Sequence, residues 1–397
     1  MILFESGSLK LKNDELNNAY DKLNKIYSLN QDKNIKYLID LIDNHYPTLN
    51  GAESINCVSY IDTKPPVNTS IIKKEDRVDL TNDFTITIDG LRNSKLTNTL
   101  FDDAFTLKGS GNDLHILVSV PDVDLFIERD SELDKFMRGL GESVYARDYK
   151  KALIEYDLSK TMSLEKGKVR NCITFDISLD SEANIKGIDF YKSLVKVNYN
   201  LTKDKADEFM KYHDFDDRLN VLNKMHDLAC KLCRKRKDMI GKRSPAKIIM
   251  DEFNILPDLV TADYFNSNGI IFPYKNYLGK LKSGSRKNII KINDFIDNNT
   301  LNEESIDMLN SFFDIYNRVF YDKINYGNKT YHGHPCGSVG NPLREYMSLE
   351  TNRLIKDVVI EDKGNISYWI DRVDRDCIEY TETSAKIRTL YELKKGR

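Results

Sequence analysis

The stretch that most constrains this chain runs from residue 84 to residue 105. Residues 84–89 alternate apolar and polar side chains, which is typical of a short strand with one buried face. Asp89 ends this strand, and after a loop the chain reaches the adjacent pair Asp102 and Asp103, just before another apolar run. Three carboxylates brought together would repel one another, and a divalent cation that prefers oxygen ligands, such as magnesium, would make the cluster tolerable. A strand end followed by a solvated turn is the alternative, because aspartate is common in both.

Several further short motifs flank this stretch in a particular order. In chain order they are Arg77-Val78-Asp79-Leu80, Ser131-Glu132-Leu133-Asp134, Arg138-Gly139 with Ser143-Val144-Tyr145, Asp157-Leu158-Ser159, Ser163-Leu164, Val169-Arg170, Tyr199, the residues 249–256, and Gly340-Asn341-Pro342-Leu343-Arg344-Glu345-Tyr346. Together with residues 84–105, this order resembles the catalytic RNB domain of the ribonuclease II/R family. The resemblance covers roughly residues 77–395.

The resemblance implies a magnesium-dependent enzyme that shortens single-stranded RNA from its 3′ end to 5′-mononucleotides. Two magnesium ions are expected during catalysis, to relieve charge on the phosphoryl oxygens and on the departing 3′ oxygen. A guanidinium suits the scissile phosphate, because it offers two parallel donors and keeps its charge. By role, the resemblance implies the metal ligands Asp89, Asp102 and Asp103, the catalytic residues Asp102, Asp103 and Arg344, and the substrate-binding residues Tyr199, Glu252, Arg170 and Tyr346.

The resemblance is incomplete at its metal-binding end. Leu100 stands two positions before the Asp102-Asp103 pair, where the family has an aspartate, and a leucine cannot bind a cation. Glu345 replaces the second arginine of the family's motif. A second hypothesis is therefore a catalytically impaired protein of this fold that binds RNA 3′ ends or a protein partner without cleavage. A third is a structural or assembly protein that reuses the fold.

The resemblance also implies an α+β fold, with a mixed, largely antiparallel sheet and packed helices. We predict three parts: a helical N-terminal segment at 1–75, an RNB-like catalytic domain at 76–356, and a helical extension of that domain at 357–397. Within the first part, amphipathic patterns predict helices that begin near Asn13 and Asp32, and a protein partner could bind there. A further helix is predicted from about 370 to 393. The RNA-binding β-barrels of larger family members have no counterpart in these patterns.

Composition limits where the chain works and what it can bind. Hydrophobic residues at 40% and charged residues at 30% are ordinary for a soluble globular protein. The net charge is −3, so binding to RNA must depend on local basic patches such as Arg234-Lys235-Arg236-Lys237. No apolar run approaches membrane-spanning length, the first residues do not form a signal peptide, and six cysteines do not make a disulfide framework. We therefore expect a cytoplasmic protein of a bacterial cell, which a virus could encode.

Overall fold

The computed structural model describes most of the chain beyond residue 76. The described residues are 3–5, 8–10, 28, 65, 76–89, 99–145, 150–212, 217–237, 241–277, 319–361 and 368–377. The strands are β1 (Leu3–Glu5), β2 (Ser8–Lys10), β3 (Val78–Asp79), β4 (Thr85–Asp89), β5 (Ala104–Ser110), β6 (Asp113–Pro121), β7 (Val144–Tyr145), β8 (Lys150–Lys151), β9 (Val169–Leu179), β10 (Ile185–Lys196), β11 (Tyr199–Thr202), β12 (Tyr274–Asn276) and β13 (Phe320–Asp322).

One large sheet organises the described part of the chain. It has seven strands in the order β11-β4-β5-β6-β9-β10-β3. The outer pairs β11–β4 and β10–β3 are parallel, and the four pairs between them are antiparallel. The remaining described strands form separate pairs, β1–β2, β7–β8 and β12–β13. This largely antiparallel, mixed sheet with packed helices confirms the predicted α+β class.

Seven helices are described, and three of them begin at a residue whose side chain caps the helix. They are α1 (Glu132–Leu140), α2 (Tyr156–Met162), α3 (Lys203–Lys211), α4 (Val221–Lys235), α5 (Pro245–Ser267), α6 (Tyr346–Ile355), which continues into a π-helical turn at Lys356–Ile360, and α7, helical over residues 368–377. The side chains of Ser131, Thr202 and Ser244 accept backbone N–H groups at the starts of α1, α3 and α5. No helix in the described ranges is long and apolar enough to cross a membrane.

The main core lies between the sheet and α5. Ile86, Ile88 and Phe105 from the sheet are buried with Phe253 of α5, and the rings of Phe105 and Phe253 meet edge to face at 5.6 Å. A smaller apolar cluster that includes Leu117 covers the opposite face of the sheet. The long helix α5 is therefore held firmly beneath β4 and β5, where the conspicuous aspartates lie.

A buried ionic network joins α6 to the segment from Asp124 to Asp134. Arg353 is fully buried and binds Asp124, Asp134 of α1 and Glu350 of its own helix. Although burial alone would raise it, the charges of Arg353 and Lys356 lower the pKa of Asp124 to about 2. These paired charges join the second half of α6 to Asp124 and to α1.

The ends of the chain agree only in part with the sequence expectations. Near the N-terminus the structure describes a short antiparallel strand pair, in which Leu3 pairs with Lys10, where the sequence suggested only helices. The two helices predicted after Asn13 and Asp32 lie outside the described residues. The helix predicted from about 370 to 393 is helical over residues 368–377, and its remainder also lies outside them.

Candidate active site

The register of the sheet brings the predicted carboxylates together. In the β4–β5 pair, Ile86 lies opposite Phe105. Asp89 ends β4, and Asp102 and Asp103 directly precede β5, so the three carboxylates come close enough to affect one another's pKa values. Twelve residues, 90–101, separate Asp89 from the Asp102-Asp103 pair in sequence. The carboxylates nevertheless converge at one end of adjacent strands.

Asp102 and Asp103 are buried, Asp89 is half-buried, and the three carboxylates influence one another. Burial raises the pKa of Asp89 to about 7, with the guanidinium of Arg344 opposing the shift and Asp102 adding to it. Burial also raises the pKa of Asp103 well above its ordinary value, and the negative charges of Asp89 and Asp102 add to that shift. Within the described part of the chain, the buried Oδ2 atom of Asp89 has no hydrogen-bond partner. The neighbouring side chains therefore do not compensate a negative charge on Asp89 or Asp103, which favours their protonated forms unless a cation binds.

Burial raises the pKa of Asp102 as well, but Asp102 differs from its neighbours because it contacts a cation directly. The Nε of Arg344 donates to its Oδ2, and the backbone N–H of Leu343 donates to its Oδ1 at 3.2 Å. Asp102 is fully buried, whereas the side chain of Arg344 is 33% exposed. The buried carboxylate therefore anchors a guanidinium whose outer part faces solvent beside Asp89 and Asp103. Asp102 and Arg344 are both predicted site residues, and the structure brings them into direct contact.

Asn254 of α5 also contacts the carboxylate cluster, and the sequence analysis did not single it out. In the amide orientation that satisfies its hydrogen bonds, its Nδ2 donates to Asp103 Oδ2 at 2.6 Å and to the carbonyl of Met250 at 3.3 Å. Asn254 lies within the motif at residues 249–256, but the motif alone does not indicate a contact with Asp103. Asn254 orients Asp103 without neutralising it.

The three carboxylates are not equally available to a metal ion. Among the residues that the structure describes, no group of three or more His, Cys, Asp or Glu side chains could hold a metal ion by itself. Magnesium is commonly bound by one or two carboxylates, with waters and substrate phosphates completing its coordination. Asp89 and Asp103, with their raised pKa values and an unpartnered buried oxygen, fit that requirement. Asp102 uses both of its oxygens on Arg344 and Leu343.

Tyr199, the predicted base-stacking residue, lies on the strand next to the carboxylates. It begins β11, three residues before Thr202, whose register partner is Asp89. The centroid of its half-buried ring lies 6.0 Å from that of Phe84. The ammonium of Lys166 lies 4.5 Å from the centroid of the Tyr199 ring. The structure thus places Tyr199 about 10 Å along the strand from the level of Asp89.

Arg170, a predicted substrate-binding residue, is directed at the protein backbone. Its Nε donates to the carbonyl of Ser163 at 2.9 Å, and its Nη2 lies 3.9 Å from a carboxylate oxygen of Glu165. The guanidinium supports the loop that follows α2. A direct contact of Arg170 with RNA stays a prediction.

Two further predicted substrate-binding residues, Glu252 and Tyr346, are buried in internal contacts. Both carboxylate oxygens of Glu252 accept from Arg236, at 3.1 and 2.7 Å, and this pair joins α5 to the end of α4. Tyr346 is fully buried, and its hydroxyl lies 3.4 Å from both Asp134 and Arg372. Neither side chain can reach RNA from this position, so both have a structural role here. The sequence reveals the motif but not the burial.

Asp258 positions the segment that carries Arg344, and the sequence analysis did not identify it. Its Oδ1 accepts the backbone N–H of Val339 at 2.7 Å, and its backbone carbonyl accepts the N–H of Gly337 at 3.0 Å. Burial raises the pKa of Asp258 to about 7, although Lys275 and the hydrogen bond from Val339 oppose the shift. Asp258 thus links α5 to the turn that ends at the candidate phosphate-binding arginine.

Comparison with known proteins gives one family and several relatives. The sequence matches the RNB domain family over residues 77–359. It is 24% identical over 352 residues to Ribonuclease R of Thermotoga maritima, and this match covers 74% of this chain and 48% of that protein. It is 27% identical over 110 residues to Ribonuclease R of Ureaplasma parvum, and this match covers 27% of this chain and 15% of that protein. The chain thus spans about half the length of the first of these relatives, and a smaller part of the second.

Solved structures share the fold at low sequence identity. RNase R of Mycoplasma genitalium in complex with ribose-methylated single-stranded RNA has a TM-score of 0.63 at 15% identity, over 89% of this chain and 62% of that one. Yeast Ssd1, described as a pseudonuclease, has a TM-score of 0.56 at 15% identity, over 77% of this chain and 44% of that one. The same architecture therefore occurs in a nuclease and in a protein described as inactive.

Proposed function

Because this chain belongs to the RNB domain family, whose members include ribonucleases, we propose that it is a magnesium-dependent exoribonuclease that shortens single-stranded RNA from the 3′ end. The observation that carries the proposal is the cluster of Asp89, Asp102 and Asp103 beside the half-exposed guanidinium of Arg344. Buried carboxylates with raised pKa values favour a bound cation, and an anchored guanidinium favours a phosphate.

Each residue of the cluster has a distinct part in the proposed mechanism. Asp89 and Asp103 would hold magnesium, with Asn254 fixing the orientation of Asp103. When bound, magnesium would supply charge relief at the phosphate and a more acidic water. Arg344, held by Asp102, would bind a non-bridging phosphate oxygen and stabilise charge that develops there. If only one nucleotide fits beyond this point, the products are 5′-mononucleotides.

Tyr199 would orient the RNA at this site. Tyr199 lies on β11, the strand that pairs with β4, three residues before the partner of Asp89. Aromatic rings stack on bases of any identity. Because such stacking is tolerant of sequence, the proposed substrate is single-stranded RNA without a required base. A protein partner bound through residues 1–75 and a cytoplasmic location remain separate predictions.

A second candidate function is binding of RNA 3′ ends without cleavage. It is favoured by the pairing of Asp102 with Arg344 and Leu343, and by Leu100, which together leave two carboxylates for metal. Yeast Ssd1, a pseudonuclease, has a similar fold. The two candidates share Tyr199 and Arg344 and differ in whether a phosphodiester bond is broken.

One assay separates these functions. Purified protein is incubated with 5′-labelled single-stranded RNA and magnesium, and the products are resolved by length. The proposed enzyme gives a ladder that shortens from the 3′ end, and chelator or Asp103→Asn abolishes it. The control is Asp113→Asn, which removes an exposed carboxylate at the β5–β6 turn and should leave the ladder unchanged. RNA that is bound but stays full length would establish the second function instead.

A further inference from the structure

A loop at residues 163–168, which we call the 163–168 loop, is hydrogen-bonded to the residue that precedes Asp102. Ser163 Oγ accepts the backbone N–H of Phe101 at 2.8 Å, and the N–H of Leu164 donates to the carbonyl of Phe101 at 3.0 Å. Arg170 donates to the carbonyl of Ser163 at 2.9 Å. Since Phe101 directly precedes Asp102, the first half of this loop is fixed beside the carboxylate cluster.

The second half of the same loop is fixed to the edge of the sheet. The N–H of Lys166 donates to Asn200 Oδ1 at 2.7 Å, and Asn200 Nδ2 donates back to the carbonyl of Leu164 at 2.9 Å. The N–H of Gly167 donates to the carbonyl of Val197 at 2.8 Å. Gly167 has a φ of +76°, a conformation that favours glycine, so the turn is suited to this residue. The backbone that carries Lys166 is therefore well defined.

This backbone presents one exposed lysine at the ring of Tyr199. The side chain of Lys166 is exposed, and its ammonium lies 4.5 Å from the centroid of that half-buried ring. A lysine over an aromatic ring at an exposed site is only weakly attracted, so a phosphate can readily compete for it. A base that stacks on the ring brings its own phosphate to the same place.

We propose that Lys166 is an additional RNA-binding residue, which binds the phosphate of the nucleotide whose base stacks on Tyr199. The inference rests on the proposed function, because it assumes that an RNA 3′ end enters this site. In the free protein the ammonium covers the ring; in the complex it moves to the phosphate, and the base takes its place. The 163–168 loop thereby links recognition of the base at Tyr199 to the carboxylate cluster that follows Phe101.

The proposal is tested by RNA binding in the absence of divalent cations, so that cleavage does not interfere. Fluorescence anisotropy measures the affinity of the full chain for a linear oligouridylate and for a circular one of the same length, over a series of KCl concentrations. We expect Lys166→Ala to bind the linear RNA about three- to tenfold more weakly, and to lower the slope of log affinity against log salt by about 0.7, the value for one phosphate contact on a single strand. Lys166→Arg should retain most of the wild-type affinity.

Lys160→Ala is the matched control, because the ammonium of Lys160 also lies over a half-buried tyrosine ring, at 5.9 Å from the centroid of Tyr156. It removes the same charge from a nearby surface and should bind both RNAs as the wild type does. If Lys166→Ala matches the wild type, or binds more tightly because the ring is uncovered, the inference is wrong while the proposed function stands. If the wild-type chain itself does not distinguish the linear from the circular RNA, end binding fails and the proposed function falls with it.

Discussion

Asp102 and Asp103 are adjacent in sequence but are compensated in different ways. Asp102 faces a guanidinium and a backbone N–H, so its buried charge is paired. Asp103 receives one amide N–H from Asn254 and otherwise faces Asp89. A neutral donor orients a carboxylate but does not cancel its charge. At the scale of single residues, Asp89 and Asp103 therefore need either a proton or a cation at neutral pH.

This requirement predicts how stability depends on pH in the metal-free protein. The pKa of Asp89 is about 7 in the folded chain, against an ordinary value of 3.8. As the pH rises, the unfolded chain loses this proton first, so the free energy of unfolding falls between about pH 4 and pH 7. At about 1.4 kcal/mol per pKa unit, the loss from this group is roughly 4 kcal/mol. Asp89→Asn should remove it and be more stable than the wild type at pH 8.

Urea unfolding in chelator at pH 5 and pH 8 measures this effect. The wild type should lose considerably more stability between the two values than Asp89→Asn does. Asp113→Asn, at an exposed position, serves as the control and should follow the wild type. Parallel pH profiles for the wild type and Asp89→Asn would show that the charge of Asp89 is already compensated in the folded protein.

At the scale of elements, α5 organises the site from beneath the sheet. Asn254 and Asp258 are four residues apart, so they lie on the same face of the helix, one turn from each other. The first reaches Asp103, and the second reaches the backbone of Val339 in the turn before Arg344. One helix therefore sets the distance between the proposed metal ligands and the proposed phosphate-binding residue.

Asp258→Ala should therefore impair turnover more than RNA binding. The substitution removes the acceptor that holds Val339, so Arg344 is less precisely placed over the scissile phosphate. Misplacement by about 1 Å can cost up to a hundredfold in rate, and we expect a loss of about tenfold to a hundredfold in kcat. Asp258→Asn keeps an acceptor oxygen and should recover part of the rate.

The control on the same helix is Asp263→Ala, because Asp263 is exposed. Rates come from the RNA-shortening assay, and affinities come from anisotropy measured in chelator. Equal losses of affinity and rate in Asp258→Ala would mean that the turn serves RNA binding as a whole. In that case Asp258 would not act through Arg344.

Local patterns predicted the elements better than they predicted the residues of the site. The alternation at residues 84–89 predicts β4, because side-chain period depends on the backbone alone. The contact of Asp102 with Arg344 spans 242 residues of sequence, and only the family resemblance suggested that the two belong together. Tyr346 and Glu252 match the family's motifs but are buried in ion-pair and hydrogen-bond networks, and no local pattern reveals which members of a motif face inward.

At the scale of the whole molecule, the net charge of −3 does not favour a polyanion. Part of the basic run at 234–237 is used internally, since Arg236 binds Glu252 and Lys235 binds Asn184. Among the described residues, the contacts proposed for RNA near the carboxylates are the cations of Arg344 and Lys166 and the ring of Tyr199. The contribution of a cation at the carboxylates accordingly extends beyond the chemical step, because it neutralises the negative charge of Asp89 and Asp103 that RNA would meet.

Magnesium should therefore stabilise the whole folded chain, and not only activate it. A ligand that binds only the folded form adds RT ln(1 + [L]/Kd) to the free energy of unfolding, about 2.7 kcal/mol when its concentration is 100 times Kd. Thermal unfolding with and without magnesium, at matched ionic strength, should show a rise of several degrees in the wild type. Asp89→Asn and Asp103→Asn should lose most of that rise, whereas Asp113→Asn should keep it. An equal rise in all four proteins would mean that magnesium binds elsewhere. If the wild type shows no rise, RNA binding without cleavage is the function that this site can perform.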